Sequence, residues 1–177
     1  MNSSSEKTEL ITWYLELTQE NQFKPVPFFQ EKARVEILST ELGNANSEVN
    51  SWFYHHVGKK WQWHDRANWT GSQWNDYVQT SDVITGVGYL AQDEIGYFEL
   101  ERQNHGADVE LVYFGLLPEF VGGGLGAGLL TAAIESAWAL KPKRVWVHTC
   151  NQDHPYALRN YQSRGFEIYK TEKSTQA

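Results

Sequence analysis

The run 109–117, Val-Glu-Leu-Val-Tyr-Phe-Gly-Leu-Leu, is almost wholly apolar, aromatic or β-branched, the pattern of a strand covered on both faces. Pro118-Glu119-Phe120 interrupts it. A second apolar stretch follows over 124–140, in which Glu135 is the only charge and Leu125, Leu130, Ile134 and Trp138 fall on different sides of a helix. That pattern predicts a helix buried against a sheet. Between strand and helix lies Val121-Gly122-Gly123-Gly124-Leu125-Gly126-Ala127, a nearly bare backbone. Glycine admits positive φ and close approach, and the first turn of the helix leaves N–H groups unpaired at the positive end of its dipole. The arrangement suits an anion, most naturally phosphate, or else lets helix and strand pack closely.

The rest of the pattern surrounds this unit. Residues 9–18 mix β-branched and aromatic side chains and predict a first strand. Phe29, Ala33, Ile37 and Leu38 recur at helical spacing between Pro27 and Gly43, predicting a helix over 28–42. Val49, Trp52, Phe53, His56 and Val57 predict a second over 47–58, capped by Ser47. Strands at 83–91, 95–101 and 109–117 form an antiparallel meander whose last member feeds the glycine loop. After the buried helix, 144–149 is a strand that a helical crossover places parallel to its predecessor. Asp153 and Pro155 start a helix over 154–164, which Gly165 ends, and 166–170 closes the sheet. The ends, 1–6 and 171–177, read as frayed.

At 177 residues the chain is expected to form one domain. Hydrophobic residues at 41% fit a packed globule, and no apolar run reaches the roughly 20 residues of a membrane span. The start lacks the basic and apolar segments of a secretion signal, so a cytoplasmic protein without a membrane partner is expected. Cys150 is the only cysteine, which removes an internal disulfide and a multi-cysteine zinc site. A net charge of −7 without a basic cluster argues against nucleic acid and weakly favours a cationic substrate.

Two nucleotide loops are excluded by residue type. A Walker loop needs Lys then Ser or Thr after its last glycine, where Ala127-Gly128 stands here. A dinucleotide fingerprint needs an acidic residue about twenty positions on, and 146–148 holds none. The segment 61–77 carries Trp61, Trp63, Trp69, Trp74 and Tyr77. These either wrap the core or line a substrate pocket in which His64, Asp65 or Arg66 supplies a polar handle, with Trp63, His64 and Arg66 as the leading substrate-binding candidates. His148 and Cys150 share a strand face, and with His154 they match no metal-ligand spacing, so they read as a packed histidine and a buried thiol. No metal is expected.

From Glu110 onward the chain resembles the GNAT acyltransferase superfamily. In that family a strand with an acidic residue leads through Pro-Glu-aromatic to Arg/Gln-x-x-Gly-x-Gly/Ala, and Glu110, Pro118-Glu119-Phe120 and Val121 to Gly126 stand in that register. The later signature Asn-x-x-Ala-x-x-x-Tyr-x-x-x-Gly-Phe matches at Ala157, Tyr161, Gly165 and Phe166. The resemblance implies a mixed α/β fold: a mostly antiparallel sheet flanked by helices, with a parallel strand pair splayed around coenzyme A. It implies acetyl-CoA as cosubstrate and a primary amine of a small molecule or protein as acceptor, in a monomer or homodimer. The backbone near Leu116 and Leu117 would hold the pantetheine arm and the thioester oxygen, the loop from Val121 to Ala127 the pyrophosphate. Val121 stands for the family's Arg or Gln, and His154 for its Asn. Tyr161 is the implied acid for the coenzyme thiolate. Glu110 is the first candidate for a base, or a solvated strand-edge carboxylate; His154 is the second, or merely finishes a helix start. The alternative to an enzyme is a GNAT-fold module that binds coenzyme A without turnover.

Overall fold

In the computed structural model, which describes residues 9–175, seven strands form one sheet in the order β2-β3-β4-β5-β6-β1-β7. The strands are β1 (Glu9–Leu17), β2 (Ala33–Ser39), β3 (Val83–Leu90), β4 (Asp93–Gln103), β5 (Asp108–Leu116), β6 (Arg144–Cys150) and β7 (Glu167–Thr175). Helices α1 (Ser47–Gly58) and α2 (Gly71–Val78) lie on one face, α3 (Leu125–Ala139) and α4 (Ala157–Ser163) on the other. Every strand pair is antiparallel except β5 with β6. Among the described residues no helix is long and apolar enough to cross a membrane.

The larger core lies under α3, where Leu129, Leu130 and Ile134 meet Leu15 and Leu17 of β1, Leu100 of β4 and Val145 and Val147 of β6. The smaller lies under α1, where Phe53 and Val57 meet Val87, Tyr97 and Leu117. The predicted meander and buried helix form as expected. Asn46, rather than Ser47, caps α1 by accepting the Glu48 N–H.

Two expectations are corrected, and one predicted strand takes a place in the sheet that its composition does not indicate. The helix expected over 28–42 is absent; residues 33–39 form β2 against β3, because Ala33, Val35 and Ile37 turn inward while Arg34 and Glu36 turn out. The strand expected near the N-terminus exists, but it pairs with β6 on one side and β7 on the other, in the middle of the sheet's C-terminal half. Residues 171–175 continue β7 rather than fray, since β1 offers them partners through Thr175. The other end expectations, 1–6 and 176–177, lie outside the described residues.

The feature that makes the site is a divergence. β5 and β6 pair over three positions only, Asp108 with Arg144, Val109 with Val145 and Glu110 with Trp146. Arg144 fastens this closed end, its Nε donating to Asp108 (3.1 Å) and its Nη1 to Glu16 (3.2 Å). Beyond it, Val112 is an extra residue in β5 between Leu111 and Tyr113, a bulge that bends the strand while it stays paired to β4. β6 follows β1, and the two strands part.

Candidate active site

Two clefts open on the gap between β5 and β6. The first, about 240 Å³, runs from Phe114 and Leu116 past Val121, Gly122 and Gly126 to His154 and Asn160. The second, about 400 Å³, lies between the segment 61–65 and β6, with His148 and Tyr113 in its walls. Trp61, Phe114, Asp153 and Tyr161 line both, so the clefts meet at these four side chains.

The glycine loop forms one end of the first cleft. Gly122 and Gly124 hold φ of 87° and 77°, the left-handed region, and α3 begins at Gly124 without a side-chain cap, so its first N–H groups stay available to a ligand. Gln30 braces the loop by donating to the Gly123 carbonyl (3.1 Å). Of the residues expected to hold coenzyme, Leu116, Val121, Gly122, Gly126, His154 and Tyr161 line the cleft; Gly123, Gly124 and Ala127 adjoin them in the chain. The side chains of Leu125 and Leu117 belong to the core. The Leu117 N–H donates to the Ile95 carbonyl across the sheet (2.8 Å), which corrects its expected role. Strand alternation then aims the Leu116 N–H the other way, into the gap.

Tyr161 sits on α4, 4% exposed, edge-on to Phe114 and Phe166. Burial pushes its hydroxyl well above the ordinary phenol value, and the Asp153 carboxylate adds to the shift. It is a neutral O–H donor throughout the ordinary pH range. Asp153 is itself pushed up by burial, opposed by its hydrogen bonds, accepting from the Thr149 hydroxyl and the His154 N–H (both 2.8 Å). His154 Nδ1 accepts from the Tyr156 N–H (3.1 Å) and its ring meets Trp61 edge-on, which leaves Nε2 to carry the proton. His154 thus belongs to the coenzyme-side cleft and not to the wall from which a base would act.

The second cleft gathers Trp63, His64, Asp65 and Tyr113 at one wall, the Tyr113 hydroxyl donating to Asp65 (3.3 Å). Among the described residues its charged lining is the pair of carboxylates Asp65 and Asp153, with neither Lys nor Arg. Arg66 does not join them. It is 7% exposed, donates from Nη1 to Glu99 (2.8 Å) and lies over the rings of Trp69, Tyr77 and Tyr113, so its expected substrate contact is replaced by a role in fixing the wall from behind. Glu110, 8% exposed, is also set back; its Oε2 accepts from Gln103 (2.6 Å) and its Oε1 faces His148 Nδ1 (3.4 Å). His148, read from sequence as a packed residue, is half-exposed and lines the cleft. Nothing local in the sequence announces this, because it depends on the parting of β5 and β6.

Comparison with known proteins places this geometry. Residues 45–166 match the model of the acetyltransferase (GNAT) family. No curated protein sequence matches the chain. Among solved structures, a GCN5-related N-acetyltransferase from Sphaerobacter thermophilus superposes with a TM-score of 0.69 at 13% identity, over 96% of this chain and 52% of that one. A GCN5-related N-acetyltransferase from Kribbella flavida gives 0.64 at 16%, over 91% and 55%. The chain therefore spans little more than half the length of these two proteins. An aminoglycoside acetyltransferase from an uncultured soil metagenomic sample, solved in complex with sisomicin, gives 0.61 at 13%, over 77% of this chain and 90% of its own. With a family model spanning most of its length and a sheet parted between β5 and β6, the chain belongs to the GNAT acetyltransferase family.

Proposed function

We propose that the protein transfers the acetyl group of acetyl-CoA to a small amine that carries more than one positive charge. The observation that carries this reading is the meeting of two clefts at the β5–β6 gap, with the neutral hydroxyl of Tyr161 between them. The first cleft fits the coenzyme: left-handed glycines and an uncapped α3 for pyrophosphate, and apolar walls from Phe114 and Leu116 for the pantetheine arm. Coenzyme A supplies the activated thioester when bound. The Leu116 N–H is aimed to hold the carbonyl oxygen as negative charge develops there. Tyr161 gives its proton to the departing sulfur, and Glu110, set back from the acceptor cleft, places negative charge behind its wall. The carboxylates Asp65 and Asp153, and the ring faces of Trp63 and Tyr113, favour an acceptor with a second cationic group. The aminoglycoside complex of the soil acetyltransferase is consistent with such an acceptor.

Thermal unfolding with excess acetyl-CoA tests the first half of this reading, because a ligand that binds only the native state raises its stability by mass action. An upward shift is expected. It should vanish in Gly126→Leu, whose side chain enters the cleft: a Cβ there lies 3.7 Å from Asn160 and 3.8 Å from Leu116, so the branch beyond it takes up coenzyme space while the fold is kept. Turnover with spermidine and sisomicin as probe acceptors tests the second half. Stabilisation without transfer to any amine favours the non-catalytic coenzyme-binding module, the reading to which Val121 and His154 point.

Tyr161→Phe is expected to lower kcat about 10²-fold, the usual span for loss of one general acid, with the KM for acetyl-CoA little changed. Steady-state kinetics decide it. An undiminished kcat removes Tyr161 from proton transfer and leaves it a packing residue.

A further inference from the structure

We infer that His148 is the catalytic base of the acceptor cleft, with Glu110 and Gln103 as the residues that orient it. The inference rests on the transferase reading above and assigns a residue that reading leaves idle.

A chain of hydrogen bonds lies behind His148. The Trp146 indole N–H donates to Gln103 Oε1 (3.1 Å), and Gln103 Nε2 donates to Glu110 Oε2 (2.6 Å). The other carboxylate oxygen, Oε1, faces His148 Nδ1 at 3.4 Å. Both Glu110 oxygens are thus occupied by protein donors, and the carboxylate does not line either cleft. It can reach an acceptor only through the imidazole. A carboxylate at Nδ1 fixes the neutral ring as the Nδ1–H tautomer and leaves the Nε2 lone pair free, the arrangement by which histidine–carboxylate pairs present a base.

The fold explains the placement. Glu110 pairs with Trp146, the last of the three β5–β6 registers, and His148 is two residues further along β6 on the same face as Trp146. It therefore stands at the first position where the strands have parted, at the edge of the acceptor cleft. Its ring is held by the Trp146 ring (6.0 Å, stacked) and by the Tyr14 ring of β1 (5.7 Å).

The electrostatics agree. The charged groups that face His148 from the surrounding elements are Glu110 on β5, Asp65 in the segment 61–65 and Asp153 after β6, all carboxylates. The hydrogen bond to Glu110 raises the imidazole above its ordinary value, burial opposes the shift, and the three negative charges add to it. A base so raised stabilises the proton it receives. At pH above that value the ring is neutral and takes the proton of the acceptor ammonium at Nε2, which frees the nitrogen lone pair to attack the thioester carbon. The imidazolium then releases this proton to solvent. The N–H proton shed as the amide forms balances the one Tyr161 gives to sulfur when the C–S bond breaks.

The test uses the full chain with His148→Gln and Glu110→Gln, and two probe acceptors: spermidine, protonated at neutral pH, and hydroxylamine, a weak base already neutral there. His148→Gln should keep its acetyl-CoA thermal shift and lose about 10²–10³-fold in kcat/KM for spermidine, and clearly less for hydroxylamine, which needs no prior deprotonation. A packing role would depress both acceptors alike. The parent protein should show a rising limb of kcat/KM against pH, and His148→Gln should lack it. In Glu110→Gln the imidazole loses the charge that raises it, so its NMR titration midpoint should fall, and the new amide, unable to accept from both Gln103 and His148, should cost activity by admitting the wrong tautomer. Spermidine turnover within threefold of the parent in His148→Gln, with the limb unmoved, overturns the assignment. Failure of the parent protein itself to bind acetyl-CoA or acetylate either probe overturns the transferase reading and this inference with it.

Discussion

A chain that starts at Glu20 is expected to lose cooperative unfolding altogether. Removing β1 takes out Leu15 and Leu17, both fully buried in the larger core, and each such side chain contributes about 1.5–3 kcal/mol by burial. Together they supply about 3–6 kcal/mol, against a net stability of about 5–15 kcal/mol for a typical domain. Two ladders go with them. β1 pairs with β6 from Thr12 to Leu17 and with β7 from Glu9 to Glu16. β7 has every residue exposed and no other strand partner, so it is released, and β6 becomes a raw edge open to intermolecular pairing. Circular dichroism melts and size-exclusion chromatography check this, with broad unfolding and aggregates as the expected result. A sharp transition within a few degrees of the parent would show that β6 tolerates an open edge and that the N-terminal strand is an accessory. Supplying a peptide of residues 1–22 in trans should restore part of the transition if the loss is one of strand pairing.

The importance of β1 could not be seen in the sequence, and the reason is physical. Its composition announced a strand, but the neighbour of a strand is fixed by long-range register, which residues 9–18 do not encode locally. The same limit explains β2. Phe29, Ala33 and Ile37 fit an i, i+4 stripe, while Ala33, Val35 and Ile37 fit a period of two, and only the presence of β3 as a partner decides between them. By contrast, the stretch from Glu110 to Phe166 was legible because its requirements are local: glycines where φ is positive, an apolar helix that must be buried, a tyrosine one turn into a short helix. The candidate site divides along the same line. The glycine loop and Tyr161 could be named from motif and spacing. His148 and Asp153 owe their positions to the bulge at Val112 and the three-position pairing of β5 with β6, neither of which has a composition to read. Arg66 misled for a related reason, since a charged residue among tryptophans looks the same whether its partner is a ligand or a buried carboxylate.

Arg66→Ala is expected to destabilise the protein by about 3–5 kcal/mol, the cost of removing one partner from a buried ion pair. Glu99 is wholly buried, and its Oε1 is held by Asn50 (2.8 Å) while Oε2 takes the Arg66 guanidinium. Burial raises the Glu99 carboxyl and the arginine opposes that shift, so without Arg66 the group must either protonate or carry an uncompensated charge in the core. The aromatic rings around the guanidinium lose their cation as well, with Tyr77 at 4.0 Å and Trp69 at 4.6 Å from it. Arg66→Lys should recover little, because an ammonium cannot both reach Glu99 and lie flat between those rings. Arg66→Met combined with Glu99→Gln should recover much of the loss, because no charge is then left buried. Urea denaturation of the four proteins measures this, and a loss below 1 kcal/mol for Arg66→Ala would mean that water enters and solvates Glu99. The consequence reaches the acceptor cleft. Arg66 directly follows Asp65 in the chain and its guanidinium is tied to the buried Glu99 (2.8 Å), so the wall bearing Trp63, His64 and Asp65 is fastened by this side chain. A variant folded under assay conditions but lacking this anchor should therefore show a raised KM for the amine with a nearly unchanged KM for acetyl-CoA, since Trp63, His64 and Asp65 line the acceptor cleft and not the coenzyme cleft.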